Sequence, residues 1–271
     1  MVLFGVGVFD LHALQALAVV PAALGFLKLA AVQEVRQLLA VQLHIERGFF
    51  AVDHIQIHAF HSGIVIALVG KVNVSLYACG HSNAGLEVSA RNGLCADFSP
   101  KPLENRPGNG MHINISVRSE DGGDALPQVI AGILSHISDM TVFLNTAEDS
   151  YLRFGSNKAP RYISWSSENR SQLIRIPAAE GEYRRAELRS PDPACNPYLA
   201  FALIIYAGLD GIRQDMALPE AADINLYTAP EDVRAKFAML PSTLKKAQSA
   251  AARSSFIAAS LPQAIIDFYT K

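Results

Sequence analysis

The segment His112-Ile113-Asn114-Ile115-Ser116 alternates polar and apolar side chains, and a loop spaced by Gly108 and Gly110 runs straight into it. Successive side chains of a strand point to opposite faces of its sheet. A strand here puts Ile113 and Ile115 into a core and leaves His112, Asn114 and Ser116 together on a polar face. The chain must therefore build a half-buried sheet, covered on one side only. Bare loop backbone followed by a row of metal- and phosphate-capable side chains suits a nucleotide site.

The same period recurs at 94–98, 161–166, 171–177 and 183–189, which reads as further half-buried strands. Helical spacing appears between them. A short helix from Leu86 to Asn92 should stop at Gly93, a natural residue for the left-handed helix end. Pro127 to Leu144 carries apolar residues at three- and four-residue intervals. Asn196 should cap a long apolar helix that Pro197 opens and that runs to about Gln214. Pro241-Ser-Thr-Leu and then Leu261 to Tyr269 predict two peripheral helices. The expected class is α+β, an antiparallel sheet with flanking helices.

Charge divides the chain in two. Residues 1–82 hold 8 charged side chains and the remainder 40, while six of the eight histidines lie within residues 1–81. The early stretch has long Ala-Val-Leu runs and no acidic cluster, and part of it, from Val32 to Leu43, has helical spacing. Leu11 to Leu27 is uncharged but short for a membrane span and interrupted by Pro21. A membrane role is not expected. Net charge is −2 across 271 residues, which gives no electrostatic case for nucleic acid. Three scattered cysteines fit neither a disulfide framework nor a zinc knuckle, and the expected location is the cytoplasm.

Chemistry concentrates in three clusters. In Tyr183-Arg-Arg-Ala-Glu-Leu-Arg-Ser-Pro-Asp-Pro193, strand spacing places Arg185, Glu187 and Arg189 on one face. A carboxylate between guanidiniums suits a cation held beside anionic oxygens, which the planar arginine fork matches. A surface ladder of salt bridges is the plainer alternative. In Glu168-Asn-Arg-Ser-Gln-Leu-Ile-Arg-Ile-Pro177, Arg170 precedes a strand and Arg175 sits between Ile174 and Ile176. There it needs an anion if buried, or points to solvent from an edge. Ser150-Tyr-Leu-Arg-Phe-Gly155 adds Arg153. Taken singly, His112 reads as well as a structural histidine. Taken together, the residues surround a polyanion and a hard divalent ion, Mg²⁺ or Mn²⁺, the inventory of phosphoryl transfer.

From about Leu86 onward these segments resemble the C-terminal catalytic domain of type I glutamine synthetase. The resemblance rests on NGLCADFSPKPL, GNGMHINIS, SYLRFGSNKAP, ENRSQLIRIP and YRRAELRSPDPACNPYLAFALIIYAGLDGI, in that order. It implies ATP-dependent ligation of ammonia to glutamate through γ-glutamyl phosphate, with Mg²⁺ or Mn²⁺. It assigns His112 and Glu187 to the metal; Asn114, Ser116, Arg175 and Arg185 to ATP; and Arg170 to the transferring phosphoryl group. It assigns Arg153 and Arg189 to the carboxylates of glutamate, Arg153 thereby joining Arg170 in catalysis, and the Gly108 backbone to the amino-acid end.

The chain also departs from that pattern. Residues 1–85 lack the family's acidic segments and its N-terminal β-grasp domain, and they read as a fused or aberrant stretch ahead of a partial catalytic domain at 86–271. Lys158 stands where the family carries a flap glutamate, and the chain stops short of the usual final helix. The expectation is a truncated ligase with weak or no turnover. The alternatives are a ligase that joins another amine to glutamate, or a non-catalytic nucleotide-binding subunit. A homo-oligomer is compatible with the sequence, but the family's ring is not expected without the missing domain.

Overall fold

The computed structural model describes residues 90–95, 97–119, 122–155, 159–179 and 184–271, together with the backbone of 56–59, 64–69 and 72–78. The 32–43 helix, the start of the 86–92 helix, Lys158 and Tyr183 lie outside these residues.

Seven strands form one sheet in the order β1-β2-β3-β4-β7-β6-β5. They are β1 (Gln56–Ala59), β2 (Ile64–Val69), β3 (Val72–Ala78), β4 (Ile113–Ser119), β5 (Trp165–Ser166), β6 (Ile174–Arg175) and β7 (Ala186–Leu188). Every pairing is antiparallel except β5 with β6, so the sheet is mixed rather than purely antiparallel. β4 fulfils the alternation read from its sequence: Ile113 and Ile115 are fully buried, while Asn114 and Ser116 are half-buried.

Strands β1 to β3 lie inside the stretch 1–85, to which sequence reasoning gave no fold. Ile64-Val-Ile-Ala-Leu-Val69 and Val72-Asn-Val-Ser-Leu-Tyr-Ala78 are rich in β-branched residues, and Val69 pairs with Val72 across a two-residue connection. That is a hairpin signal. Gly70-Lys71 punctuates the two runs, but Ile64–Val69 is apolar throughout and lacks the polar alternation by which the other strands are read.

Two helices cover the buried face. α1 (Leu126–Leu144) and α2 (Pro197–Arg213) match the predicted spans, and Asn196 caps α2 by accepting from the amides of Tyr198 and Leu199. The helices cross at backbone contact. A Cβ on Gly132 would stand 2.1 Å from the Ala207 carbonyl, and one on Gly211 2.0 Å from that of Gln128. Only glycine permits this approach, which presses Val129, Ile133 and Ile137 onto Ile113, Ile115, Leu188 and Phe201 in a single core.

Among the described residues a 3₁₀ helix spans Glu148–Arg153, and the further α-helices are α3 (Glu231–Arg234), α4 (Leu244–Arg253), α5 (Ser255–Ser260) and α6 (Gln263–Thr270). The tail thus holds one helix more between 241 and 269 than its spacing predicted. Ser254 makes the difference: its Oγ caps α5 at the Ile257 amide and donates to Asp139 of α1 at 2.6 Å, which turns the chain between α4 and α5.

Four predicted strands shrink or vanish, 183–189 keeping only Ala186–Leu188 of its described residues. Residues 94, 95, 97 and 98 form none, because the Asp97 carboxylate turns the chain by accepting from the Ser99 amide at 2.8 Å. Within 161–166 only Trp165 and Ser166 join the sheet, while Arg161 and Ile163 bond the segment 238–240. Within 171–177 only Ile174 and Arg175 do. Gly93 behaves as expected, with φ of 69° and its amide bonded to the Ala90 carbonyl.

Candidate functional site

Strand register lines up one row across the polar face of the sheet. Tyr77 pairs with Asn114, Asn114 with Glu187, Glu187 with Arg175, and Arg175 with Ser166. A second row begins with Ser75 opposite Ser116. Directly opposite residues share a face and lie within side-chain reach. Asn114, Ser116, Glu187 and Arg175, drawn from three distant segments, thus come to one surface, as β-strand periodicity required.

Glu187 is the hub. Its Oε1 lies 2.8 Å from His112 Nδ1, and its Oε2 lies 3.0 Å from Arg175 Nε and 3.3 Å from Arg189 Nη1. Arg189 donates a hydrogen bond to this carboxylate. Arg175 Nε is close enough for charge attraction but has no properly angled hydrogen-bond acceptor. Arg175 has therefore found the anion that its apolar flanks demanded, inside the protein rather than in solvent. Glu187 and Arg189 are only 13% and 4% exposed, so their pairing is not a solvated edge.

These partners hold the Glu187 carboxyl down at about 2 from 4.5; the hydrogen bond with His112 contributes most, burial opposes it, and the charges of Arg189, His112 and Arg175 add to it. A carboxyl depressed on folding stabilises the fold above its unfolded value and loses that contribution as pH falls toward its folded value. The metal-free protein should therefore lose about 3 kcal/mol of stability between roughly pH 5 and pH 2 through this group. Urea unfolding of wild type and E187Q at pH 6 and pH 3 checks it. The gap between the two proteins should narrow at the lower pH, and a constant gap would refute the assignment.

The glycine loop rests on a second charged pair. Arg153 and Asp192 are 3% and 0% exposed and 3.1 Å apart. Asp192 also accepts from Asn145 Nδ2 at 2.9 Å, at the C-terminal end of α1. Burial pushes the Asp192 carboxyl up and the Arg153 guanidinium down, and each opposes the other's shift with its charge. Pro191 O accepts from both Arg153 Nη2 and the Met111 amide, which joins the arginine to the loop's end. A Cβ on Gly108 would stand 2.3 Å from Pro100 O and 2.8 Å from Arg153 Cγ, and one on Gly110 2.9 Å from Arg153 Nη2. Neither glycine has a positive φ. They are there for close approach, not for a left-handed turn.

Not every residue singled out from the sequence joins these two clusters. Arg170 is exposed at the turn before β6, and Arg185 is exposed at the start of β7. Asp192 and Asn145 were missed. The only signal for Asp192 was an acid inside the run Arg-Ser-Pro-Asp-Pro, which composition cannot separate from a turn. Asn145 gave no signal, because its role is to bond Ser190 O and Asp192 across a long sequence gap.

Residues 84–271 match the family described as the glutamine synthetase catalytic domain. The chain belongs to the glutamine synthetase family. A glutamine synthetase of Methanosarcina mazei is 39% identical over 67% of this chain and 44% of its own length. One from Thermus thermophilus is 41% identical over 60% of this chain and 40% of its own. The chain thus spans less than half the length of these curated relatives. Among solved structures, GmaS in complex with ADP is similar with a TM-score of 0.60 and 31% identity, covering 68% of this chain and 46% of that one. GmaS without ligand gives a TM-score of 0.60 and 32% identity.

The donor set can be tested against a divalent ion of the kind the glutamine synthetase resemblance implies. An imidazole that donates from Nδ1 to a carboxylate keeps a lone pair on Nε2 when neutral, and His112 Nε2 lies on the side of Gly110. A carboxylate that orients a histidine in this way is a common support for a metal ligand. Among the described residues no three of His, Cys, Asp and Glu gather into a metal-holding group. β1 to β3, which continue the site face, carry no aspartate or glutamate. The described residues fit an ion brought in with nucleotide phosphates and water, as Mg²⁺ commonly is, and do not by themselves form a closed protein cage.

Proposed function

We propose that this chain carries the nucleotide and metal side of a glutamate–ammonia ligase site, with ATP, glutamate and ammonia as substrates. The observation that supports it most is the Glu187 hub, where one carboxylate organises a histidine and two arginines on a single sheet face.

In this reading His112 and Glu187 hold Mg²⁺ or Mn²⁺, which supplies charge neutralisation at the phosphates. Asn114 and Ser116 face the phosphate oxygens from β4, and Arg175 and Arg185 contact ATP. Arg170, exposed at its turn, meets the transferring phosphoryl group. Arg189 holds a carboxylate of glutamate. Arg153 meets the substrate from beneath the glycine loop, its fork oriented by Asp192, and the Gly108 backbone borders the amino-acid end. Attack by the γ-carboxylate oxygen on the γ-phosphorus of ATP would give γ-glutamyl phosphate and expel ADP; ammonia then attacks the acyl carbon, loses a proton and displaces phosphate to give glutamine. Most of the catalysis here is positioning and electrostatic.

A second reading, a nucleotide-binding subunit without turnover, is favoured by the acid-free strands β1 to β3, since only two metal donors meet on the described face. Assays of ATP-dependent γ-glutamyl transfer with Mg²⁺ or Mn²⁺, beside calorimetric titration of ADP, separate the two. ADP binding with turnover at least about a hundredfold below a full-length relative is the expected result. Turnover close to the relative's would sink the impaired-site view, and loss of ADP binding would sink both readings. Offering polyamines beside ammonia tests whether the acceptor is another amine.

A further inference from the structure

We propose that Ser166 and Asp223 are positioning residues for Arg170, holding its turn in place on the sheet so that the guanidinium is ready for the transferring phosphoryl group. The inference rests on the role of Arg170 argued above.

Ser166 ends the row that crosses the polar face: it pairs with Arg175, which pairs with Glu187. It is fully buried. Its Oγ donates to Asp223 Oδ1 at 2.6 Å and accepts from the amides of Glu168 at 3.3 Å and Asn169 at 3.1 Å. A serine hydroxyl has one proton and two lone pairs. Asp223 takes the proton and so leaves both lone pairs to the two amides. The next turn is also closed by side chains. Asn169 Oδ1 accepts from the Ser171 amide at 3.0 Å and from Ser171 Oγ at 2.9 Å. Arg170 lies between these two turns and is itself exposed.

Both turns are tied to one strut, residues 222–226. Ser171 Oγ accepts from the Leu226 amide at 2.9 Å, as Asp223 accepts from Ser166. Buried Gln172 donates from Nε2 to the carbonyls of Ala222 at 2.5 Å and Ile224 at 2.6 Å, and the Ala222 amide donates to Trp165 O at 2.8 Å. Serine and asparagine turns form from local bonds alone. Bracing them from a distant segment therefore fixes where the turn sits rather than its shape. An arginine delivered on a fixed backbone loses less to ordering when it meets an anion.

Asp223 is exposed, so its variants test the brace without opening the core. Calorimetry on the full chain compares a non-hydrolysable ATP analogue with ADP, each with Mg²⁺. R170A should weaken the analogue about tenfold and leave ADP nearly unchanged, since only the analogue carries the third phosphate. D223A and S166A should reproduce most of that selective loss. D223N should restore wild-type binding, because its amide oxygen still accepts from Ser166, and S166A added to R170A should cost nothing more. Equal weakening of both nucleotides, or no recovery in D223N, would overturn the proposal. Selective loss in R170A with none in D223A and S166A would also overturn it, and leave the role of Arg170 standing. No selective loss in R170A, or wild type that binds neither nucleotide, would overturn the reading of the site and this inference with it.

Discussion

Replacing Asp192 with alanine is expected to lower stability by about 3–5 kcal/mol, because it leaves Arg153 as an uncompensated buried charge. The pair is almost wholly withdrawn from solvent, and the same aspartate receives Asn145 from the end of α1. For a protein of this size the loss corresponds to a fall of roughly 10 °C in melting temperature, read by calorimetry or circular dichroism. The double variant R153M/D192L removes both charges together. It should recover most of the stability, since apolar residues of similar volume commonly replace buried ion pairs at little cost. ADP affinity should still fall in the double variant, because Gly108 and Gly110 lie against Arg153 and the loop loses its seat. Equal stability of D192A and wild type would show that the pair is not the loop's foundation.

Much of this architecture was legible because it follows from local periodicity. β4 alternates because its residues do, and α2 starts at Pro197 because Asn196 can cap it. The long-range geometry was less legible. Sequence placed Glu187 between arginines on its own strand, yet two of its three partners, His112 and Arg175, come from distant segments. Such pairings depend on sheet order, which no single segment encodes. The two-residue strands β5 and β6 failed for a related reason: their flanks are held by Met239, Ala222 and Gln172, whose tertiary bonds override the extended propensity of the segment. β1 to β3 were lost because Ile64–Val69 is apolar throughout, which hides the strand period, although Gly63 and Gly70-Lys71 mark its ends.

The second large effect is expected at the hub itself. E187Q keeps the shape of the side chain but removes the charge that holds Arg175 and Arg189 and fixes the His112 ring. Titrations of ADP with Mg²⁺ and with a chelator separate its consequences. If His112 Nε2 is a metal ligand oriented by Glu187, E187Q should weaken the Mg²⁺-dependent part of ADP affinity by about 10–100-fold. H112A should abolish the Mg²⁺ dependence and leave the metal-free affinity nearly unchanged. Equal losses with and without Mg²⁺ in both variants would mean that the cluster shapes the nucleotide pocket without holding an ion. Register sets Tyr77, Ser75 and Asn73 of β3 opposite Asn114, Ser116 and Arg118, and none of the three is a carboxylate. Among the described residues no further carboxylate, histidine or thiol gathers at the hub, so an ion on His112 Nε2 is expected to draw ligands from the nucleotide, and Mg²⁺ titrated without ADP should bind far more weakly than with it.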